Sequence, residues 1–121
     1  MEKNYLSKIT INLPCSFKDI LKKINDNALG ILFVVEKNNV LIGSVSDGDI
    51  RRNLLTKKNY NDLITIDSKV INKKPITLPA GCDIREIQEL LNSEIDKKKI
   101  GCIPLVDKKK RIVDYSTRER A

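Results

Sequence analysis

Carboxylates abound in this chain of 121 residues, but the spacing of its reactive side chains argues against a catalytic centre. The sequence contains no histidine, which removes the serine–histidine and cysteine–histidine pairs that many hydrolases and acyl transferases use. Cys15, Cys82 and Cys102 form no C-x-x-C pair and, without histidine, offer too few ligands for a zinc site. No spaced carboxylate pair or phosphate-holding glycine loop stands out. We therefore predict a protein that is not an enzyme, has no metal or cofactor, and keeps its thiols reduced.

The most suggestive spacing belongs to Ser46 and Asp49, a hydroxyl and a carboxylate three residues apart. At the start of a helix this spacing is typical of a capping box, in which the serine oxygen accepts a first-turn N–H and the acid bonds back to the serine N–H. The same cap-x-x-acid spacing occurs beyond two short β-branched runs of the chain: Ser16 with Asp19, and Asp83 with Glu86. Helices are predicted to begin at these positions, and capping is one complete explanation of the pair.

The elements that must position this pair follow one order, and that order occurs twice along the chain. A short β-branched run, at residues 9–11 and again at residues 76–78, precedes a proline and a predicted helix start. Apolar residues at helical spacing follow, and then a hairpin around a polar turn. The predicted hairpin strands are residues 31–35 with 40–45, and residues 102–106 with 111–116. A helix with apolar Ile50 follows the first hairpin, and a connector, residues 60–74, leads into the second copy.

Direct self-comparison of the sequence supports this duplication. Residues 9–25 match residues 76–92 at a constant offset, and the match places Cys15 on Cys82. Gly30 falls on Gly101 only after a short insertion in the second copy, in or near residues 97–99. Two copies are too few for a solenoid, so a pseudo-twofold pair is the natural arrangement.

The repeated order and residues 29–50 resemble a CBS domain, named after cystathionine β-synthase, and the resemblance covers nearly the whole chain as two domains. Its signature is a second hairpin strand that ends in Gly-x-x-[Ser/Thr], followed by an aspartate three residues later; here these are Gly43, Ser46 and Asp49. The resemblance implies an α+β fold of two CBS repeats, each β-α-β-β-α, packed with pseudo-twofold symmetry. We place the domains at residues 1–62 and 63–121, with the last helix of the second missing or cut short.

CBS pairs of this kind bind a nucleotide in the cleft between the two copies, and the resemblance assigns Asp49 to the ribose hydroxyls and Ser46 to a phosphate. A carboxylate accepts two hydrogen bonds from a vicinal diol, and a helix N-terminus favours phosphate oxygens. Arg51 or Arg52 would add positive charge at the phosphate end. The expected ligand is AMP, ADP or ATP, with S-adenosylmethionine as a weaker candidate. Candidates for a flat apolar adenine slot come from the connector and the second copy: Ile66, Ile103 and Pro104.

The second copy keeps only part of the signature. Its aligned positions are Asp114, Thr117 and Arg120, so the hydroxyl remains while a cation replaces the carboxylate. A cation cannot accept hydrogen bonds from a ribose diol. We therefore expect Thr117 and Arg120 to form a degenerate second site and the chain to bind one nucleotide.

Residues 46–55 are also similar to a narrower group, the CBS pairs fused ahead of sugar-phosphate nucleotidyltransferases of surface-sugar biosynthesis. This likeness implies an N-terminal regulatory region, attached to or associated with a nucleotidyltransferase domain and associating as a homodimer. A nucleotide would then act through different affinities for two states of the assembly. The alternative is a scaffold that dimerises its parent protein and binds no ligand.

A net charge of +7 and a pI near 9.4 leave a third interpretation open, a basic module that binds nucleic acid. The lysines occur in short clusters beside turn-like sequence, and aromatic residues make up only 4% of the chain. Such a composition supplies few stacking surfaces for bases, so solvated loop lysines are favoured. The chain also has no apolar run of bilayer-spanning length and no secretion signal, which predicts a cytoplasmic protein without a membrane partner.

Overall fold

The computed structural model describes residues 4–54, 61–95, 98–99 and 101–117 and divides the chain into two units, residues 1–75 and 76–121. The helices and strands of the first unit are, in order, α1 (Asn4–Ser7), β1 (Thr10–Asn12), β2 (Cys15–Ser16), α2 (Phe17–Asn27), β3 (Ile31–Glu36), β4 (Val40–Ser46), α3 (Asp47–Leu54) and β5 (Leu63–Ile64). Strands β1, β3 and β4 form one sheet in that order, with β1 parallel and β4 antiparallel to β3. The predicted elements of the first copy are thus confirmed.

Helix α2 begins where the capping pattern predicted. The Asp19 N–H donates to Ser16 Oγ over 3.1 Å, and the Ser16 N–H donates to Asp19 Oδ2 over 3.4 Å, which completes a capping box. Phe17, Ile20 and Ile24 lie on one face of the helix and are buried. This face packs against the sheet, so the local start signal and the core face agree.

The hairpin of β3 and β4 supplies the centre of the first core. Residues 32–35 of β3 are all buried, and Val45 of β4 is fully buried beside them. Asn38 and Asn39 turn the chain with φ of 65° and 63°, a left-handed conformation that asparagine tolerates better than most residues. The polar turn predicted there is confirmed.

The described part of the connector, residues 61–74, packs onto the first unit. Its Ile64, Val70 and Ile71 are 0%, 0% and 6% exposed and belong to the same core as α2 and β3. Backbone hydrogen bonds of 2.9 Å and 2.8 Å join Ser44 of β4 to Asn72 in both directions. The connector therefore extends the sheet edge of the first copy rather than forming a loose link.

The second unit repeats this topology. It contains β6 (Leu78–Pro79), α4 (Ile84–Leu91), β7 (Glu94–Ile95), β8 (Lys98–Lys99), β9 (Cys102–Val106) and β10 (Ile112–Thr117). β9 lies parallel to β6 and antiparallel to β10, as β3 lies between β1 and β4. The core is a small cluster formed by Ile87, Leu91, Ile103 and Leu105. The fold is therefore mixed α/β with two similar repeats, as predicted.

The two repeats differ in their details. Within the insertion predicted near residues 97–99, the described residues 98–99 form β8, which pairs antiparallel with β7. The predicted strand at residues 76–78 is a strand only from Leu78 onward. The predicted boundary between residues 62 and 63 stays a prediction, as does the last helix of the second repeat, which would fall outside the described residues. No helix in the described ranges is long and apolar enough to cross a bilayer.

Candidate functional site

Ser46 and Asp49 lie where β4 runs directly into α3. Ser46 is the last residue of the strand, opposite Ile31 of β3, and Asp47 is the first residue of the helix. The Asp47 N–H donates to the Gly30 carbonyl over 2.9 Å, which ties the junction to the start of β3. A Cβ at Gly30 would lie 2.9 Å from Asp47 Oδ2, and Gly30 has φ of +73°, so glycine suits this position on both counts. The neighbouring strand thus holds the junction in place.

A capping box joins the two predicted site residues. The Ser46 N–H donates to Asp49 Oδ2 over 2.9 Å, and the Asp49 N–H donates to Ser46 Oγ over 3.2 Å. The Ser46 hydroxyl also donates to Asp49 Oδ2, at 3.0 Å. The capping interpretation made from the spacing is therefore confirmed. Asp49 Oδ2 accepts both of the hydrogen bonds that Ser46 donates at the helix start.

Arg52 occupies the other oxygen of the same carboxylate. Its Nη2 lies 2.6 Å from Asp49 Oδ1, one turn along α3. The Arg52 side chain is 58% exposed and that of Asp49 19%, so the pair lies at the edge of the site rather than within the core. The structure thus brings together Ser46, Asp49 and Arg52, with Arg52 on the carboxylate. The sequence pattern indicated a phosphate partner for Arg52 and did not predict this ion pair, although a spacing of three residues on a helix allows it.

The carboxylate of Asp49 has limited capacity left for a ligand. A carboxylate offers about four acceptor positions, and the Ser46 N–H, the Ser46 hydroxyl and Arg52 Nη2 all donate to it. A vicinal diol brings two further donors. At least one of the present donors must therefore turn away before Asp49 can accept both hydroxyls of a ribose.

The three adenine candidates lie in different surroundings. Ile66 lies in a turn of the first unit and is 38% exposed, so its side chain is accessible to a ligand. Ile103 is in the second unit, fully buried in the core with Ile87. Pro104 is also buried and points to the opposite face of β9 because side chains alternate along a strand. Their roles towards adenine stay predictions.

The predicted degenerate site lies at the end of β10. Thr117 is buried, 8% exposed, and pairs with Cys102 across the hairpin. Arg120 lies outside the described residues. The proposal that these positions form a weakened second site therefore stays a prediction.

The cysteines lie in environments that suppress thiolate chemistry. Burial, reinforced by the nearby Asp19 carboxylate, raises the pKa of the Cys15 thiol to about 11. Burial is also the largest cause that raises the pKa of Cys82, with Glu86 adding to it. Cys15 and Cys82 pack against the first and second cores, at equivalent positions of the repeats. Within the described ranges, no three acidic or cysteine side chains are grouped to hold a metal ion.

A cleft in the second unit was not anticipated from the sequence. It has a volume of about 400 Å³ and lies where β6 and β9 end. Its lining residues are Thr77, Pro79, Ala80, Val106, Asp107 and Lys108. The pKa of Asp107 is lowered, chiefly because the Arg111 N–H donates a hydrogen bond to its carboxylate. This carboxylate therefore stabilises the turn between β9 and β10. The cleft contains none of the predicted site residues.

Comparison with known proteins shows where this arrangement recurs. The family model of the CBS domain matches the chain twice, at residues 3–56 and 66–119. A CBS domain-containing protein of Dictyostelium discoideum is 28% identical over 120 residues, covering 93% of this chain and 80% of that protein. Arabinose 5-phosphate isomerase KpsF of Escherichia coli is 24% identical over 102 residues, covering 84% of this chain but 29% of the isomerase. The chain therefore spans less than a third of the length of that curated relative.

Solved structures share the fold at low sequence identity. The CBS domain protein PAE2072 from Pyrobaculum aerophilum, complexed with AMP, has a TM-score of 0.70 and 14% identity, over 93% of this chain and 81% of that one. The CBS domain pair of protein MJ0100, in complex with 5′-methylthioadenosine and S-adenosyl-L-methionine, has a TM-score of 0.70 and 21% identity, over 93% and 86% of the two chains. These likenesses establish the fold of the two repeats.

Proposed function

This chain belongs to the CBS-domain family, and on that premise we propose that it is a regulatory module that binds an adenine nucleotide: AMP, ADP or ATP. The observation that carries the proposal is the junction of β4 and α3, where Ser46 and Arg52 each lie within hydrogen-bond distance of the Asp49 carboxylate. This cluster contains a diol acceptor, a hydroxyl and a cation within one turn of helix. Those are the groups that a ribose phosphate requires.

Asp49 is the proposed ribose ligand. Its side chain is 19% exposed, so ligand atoms can reach it, and the Ser46 N–H fixes its position at the helix start. A vicinal diol can donate to both carboxylate oxygens once a present donor has turned away. Charge-assisted hydrogen bonds of this type contribute about 1.5–3 kcal/mol each.

The phosphate is proposed to bind beside Ser46 at the start of α3. The helix N-terminus carries partial positive charge, although the Asp47 and Asp49 N–H groups already donate to the Gly30 carbonyl and to Ser46 Oγ. The Ser46 hydroxyl hydrogen, which now points to Asp49 Oδ2 3.0 Å away, can turn to a phosphate oxygen while Ser46 Oγ keeps accepting the Asp49 N–H. Arg52 supplies the positive charge nearby, with 58% of its side chain open to solvent.

The adenine ring is proposed to pack against Ile66. Ile103 and Pro104 are buried within the second unit, so a contact of either with adenine would require β9 to become exposed first. Support comes from the exposure of Ile66, 38% for a large apolar side chain. The two solved relatives were crystallised with AMP, or with 5′-methylthioadenosine and S-adenosyl-L-methionine, all of which contain adenosine. We propose one such site per chain, because Arg120 replaces the diol acceptor in the second copy.

We propose that the module regulates an enzyme of sugar-phosphate metabolism in the cytoplasm, a nucleotidyltransferase in surface-sugar biosynthesis, and does so as a homodimer. A curated relative is named arabinose 5-phosphate isomerase KpsF, and its name is that of an enzyme acting on a sugar phosphate. This name supports a sugar-phosphate substrate for the parent protein, but not nucleotidyl transfer as its reaction. Reading the gene beyond the codon for Ala121 tests this directly. A following isomerase or transporter domain would contradict the nucleotidyltransferase proposal.

Calorimetric titration tests the ligand site. Wild-type protein should bind AMP or ATP and not GMP, and Asp49→Ala should weaken binding at least tenfold, because two charge-assisted hydrogen bonds are lost. Asp19→Ala is the matched control, since Asp19 has the same capping role and charge at the start of α2. Equal affinity of wild type and Asp49→Ala would contradict the ribose assignment.

One observation favours a second function, a dimerisation scaffold that binds no ligand. Both oxygens of Asp49 already accept hydrogen bonds from Ser46 and Arg52, so the site is satisfied by its own side chains. The scaffold predicts a dimer by light scattering and no shift of the melting temperature with any nucleotide. A bound nucleotide at a hundredfold excess over its dissociation constant would add about 2.7 kcal/mol to the stability of the folded protein.

A further inference from the structure

We infer that Arg52 makes the nucleotide site selective for ligands that carry a phosphate over adenosine and its phosphate-free derivatives. The inference rests on the proposed function and concerns the ligand class of the same site. It starts from the short contact between Arg52 Nη2 and Asp49 Oδ1, 2.6 Å long. This contact places a cation on the carboxylate that a ribose would have to use.

A ribose must compete with donors that already hold the carboxylate. Arg52 donates to Oδ1, and the Ser46 N–H and hydroxyl donate to Oδ2. The Ser46 N–H is part of the backbone at the helix start and cannot turn away without loss of the capping box. The mobile donors are therefore the Ser46 hydroxyl and the Arg52 guanidinium.

A ligand that displaces the Ser46 hydroxyl and the Arg52 guanidinium from Asp49 binds well only if it offers both groups new hydrogen-bond acceptors. Phosphate oxygens accept hydrogen bonds from a hydroxyl and from a guanidinium, and their negative charge compensates a cation that has left its carboxylate. Adenosine and 5′-methylthioadenosine offer no such anion. S-adenosylmethionine offers one carboxylate but also a sulfonium and an ammonium group, so its net charge is positive and it compensates the displaced cation less well than a phosphate does.

The expected size of the effect follows from the exposure of the pair. With 58% of the Arg52 side chain in solvent, water screens the attraction and can replace the lost partner. Exposed ion pairs change stability or affinity by a factor of about two to five. The preference for a phosphate-bearing ligand should therefore fall by about fivefold when the positive charge is removed.

The test is calorimetry with AMP and adenosine on wild type, Arg52→Gln and Arg52→Lys. Arg52→Gln should bind adenosine at least as tightly as wild type does, bind AMP more weakly, and lower the ratio of AMP to adenosine affinity about fivefold. Arg52→Lys keeps the charge and should keep most of the ratio. The control is Arg85→Gln, which removes the same charge from an exposed helix arginine whose Nε lies 3.8 Å from Asp83 Oδ1 in the second unit.

Three results are informative. An unchanged affinity ratio in Arg52→Gln, with AMP still bound by the wild type, overturns the role of Arg52 and leaves the proposed function standing. An equal fall of the ratio in Arg85→Gln overturns it as well, because total charge would then be the cause. If the wild type binds neither AMP nor adenosine, the proposed function fails and this inference fails with it.

Discussion

Replacement of Gly43 by alanine should destabilise the first unit, because the connector lies directly against this glycine. A Cβ at Gly43 would lie 2.7 Å from Ile71 Cγ2 and 3.0 Å from the Asn72 carbonyl oxygen. That carbonyl accepts the Ser44 N–H over 2.9 Å, and Ile71 is 6% exposed in the core. Neither neighbour is the free end of a flexible side chain. The connector must therefore move outward to make room for the methyl group.

The magnitude follows from what that movement disturbs. The two backbone hydrogen bonds between Ser44 and Asn72 contribute about 1 kcal/mol each. Partial exposure of Ile71 and Val70 adds about 1–2 kcal/mol, since full exposure of such a side chain costs about 1.5–3 kcal/mol. The lower entropy of alanine in the unfolded chain offsets about 0.4–1 kcal/mol. The net loss should be about 2–3.5 kcal/mol.

Urea denaturation followed by circular dichroism measures this loss, and amide hydrogen exchange locates it. Exchange at Ser44 and Asn72 should accelerate in Gly43→Ala. Gly101→Ala is the control, because a Cβ there meets no atom within 4 Å. Equal urea midpoints for Gly43→Ala and Gly101→Ala would contradict this reasoning. The contact of the connector with β4 would then not explain why residue 43 is a glycine.

Two further predictions concern the helix start and the thiol beside it. Ser16→Ala should lower the unfolding free energy by about 1 kcal/mol in urea denaturation, because the Asp19 N–H loses its 3.1 Å acceptor; no change would mean that the capping box does not stabilise α2. Cys15, with its pKa raised from 9.0 to about 11, should be alkylated by iodoacetamide at pH 8 about a hundredfold more slowly than an ordinary thiol, and faster as the pH rises towards 11. A rate equal to that of a small-molecule thiol of pKa 9 at pH 8 would contradict this reasoning.

The hydrogen bonds that the Asp49 carboxylate accepts from Ser46 and Arg52 bear on both proposed functions. Because this half-buried carboxylate already has these donors, the proposed scaffold needs no ligand at this junction, and the proposed nucleotide has to displace those donors. Regulation then depends on how much more tightly the nucleotide binds one assembly state than the other. Nucleotide titrations of the Arg52 variants therefore bear on both proposals.

Local patterns in the sequence were sufficient for the repeated order of elements and for the helix starts. Ser16 with Asp19 and Ser46 with Asp49 act across three residues, so their spacing alone predicts the contact. The buried β3 strand and its asparagine turn are also local signals, because a short continuous apolar run and left-handed φ depend on neighbouring residues. The duplication strengthened the predicted order of elements and the helix start at Ser16, which recurs at Asp83 in the second copy.

Contacts between distant segments had to come from the tertiary structure. The docking of Ile71 on Gly43 joins residues far apart in sequence, and no spacing rule predicts it. Ile103 shows the same limit, since only the packing of β9 on α4 shows that its side chain belongs to the core of the second unit. Sequence patterns determine the order of the elements and where helices begin, because those signals act over a few residues. The contacts of a side chain with distant segments depend on how the chain packs against itself.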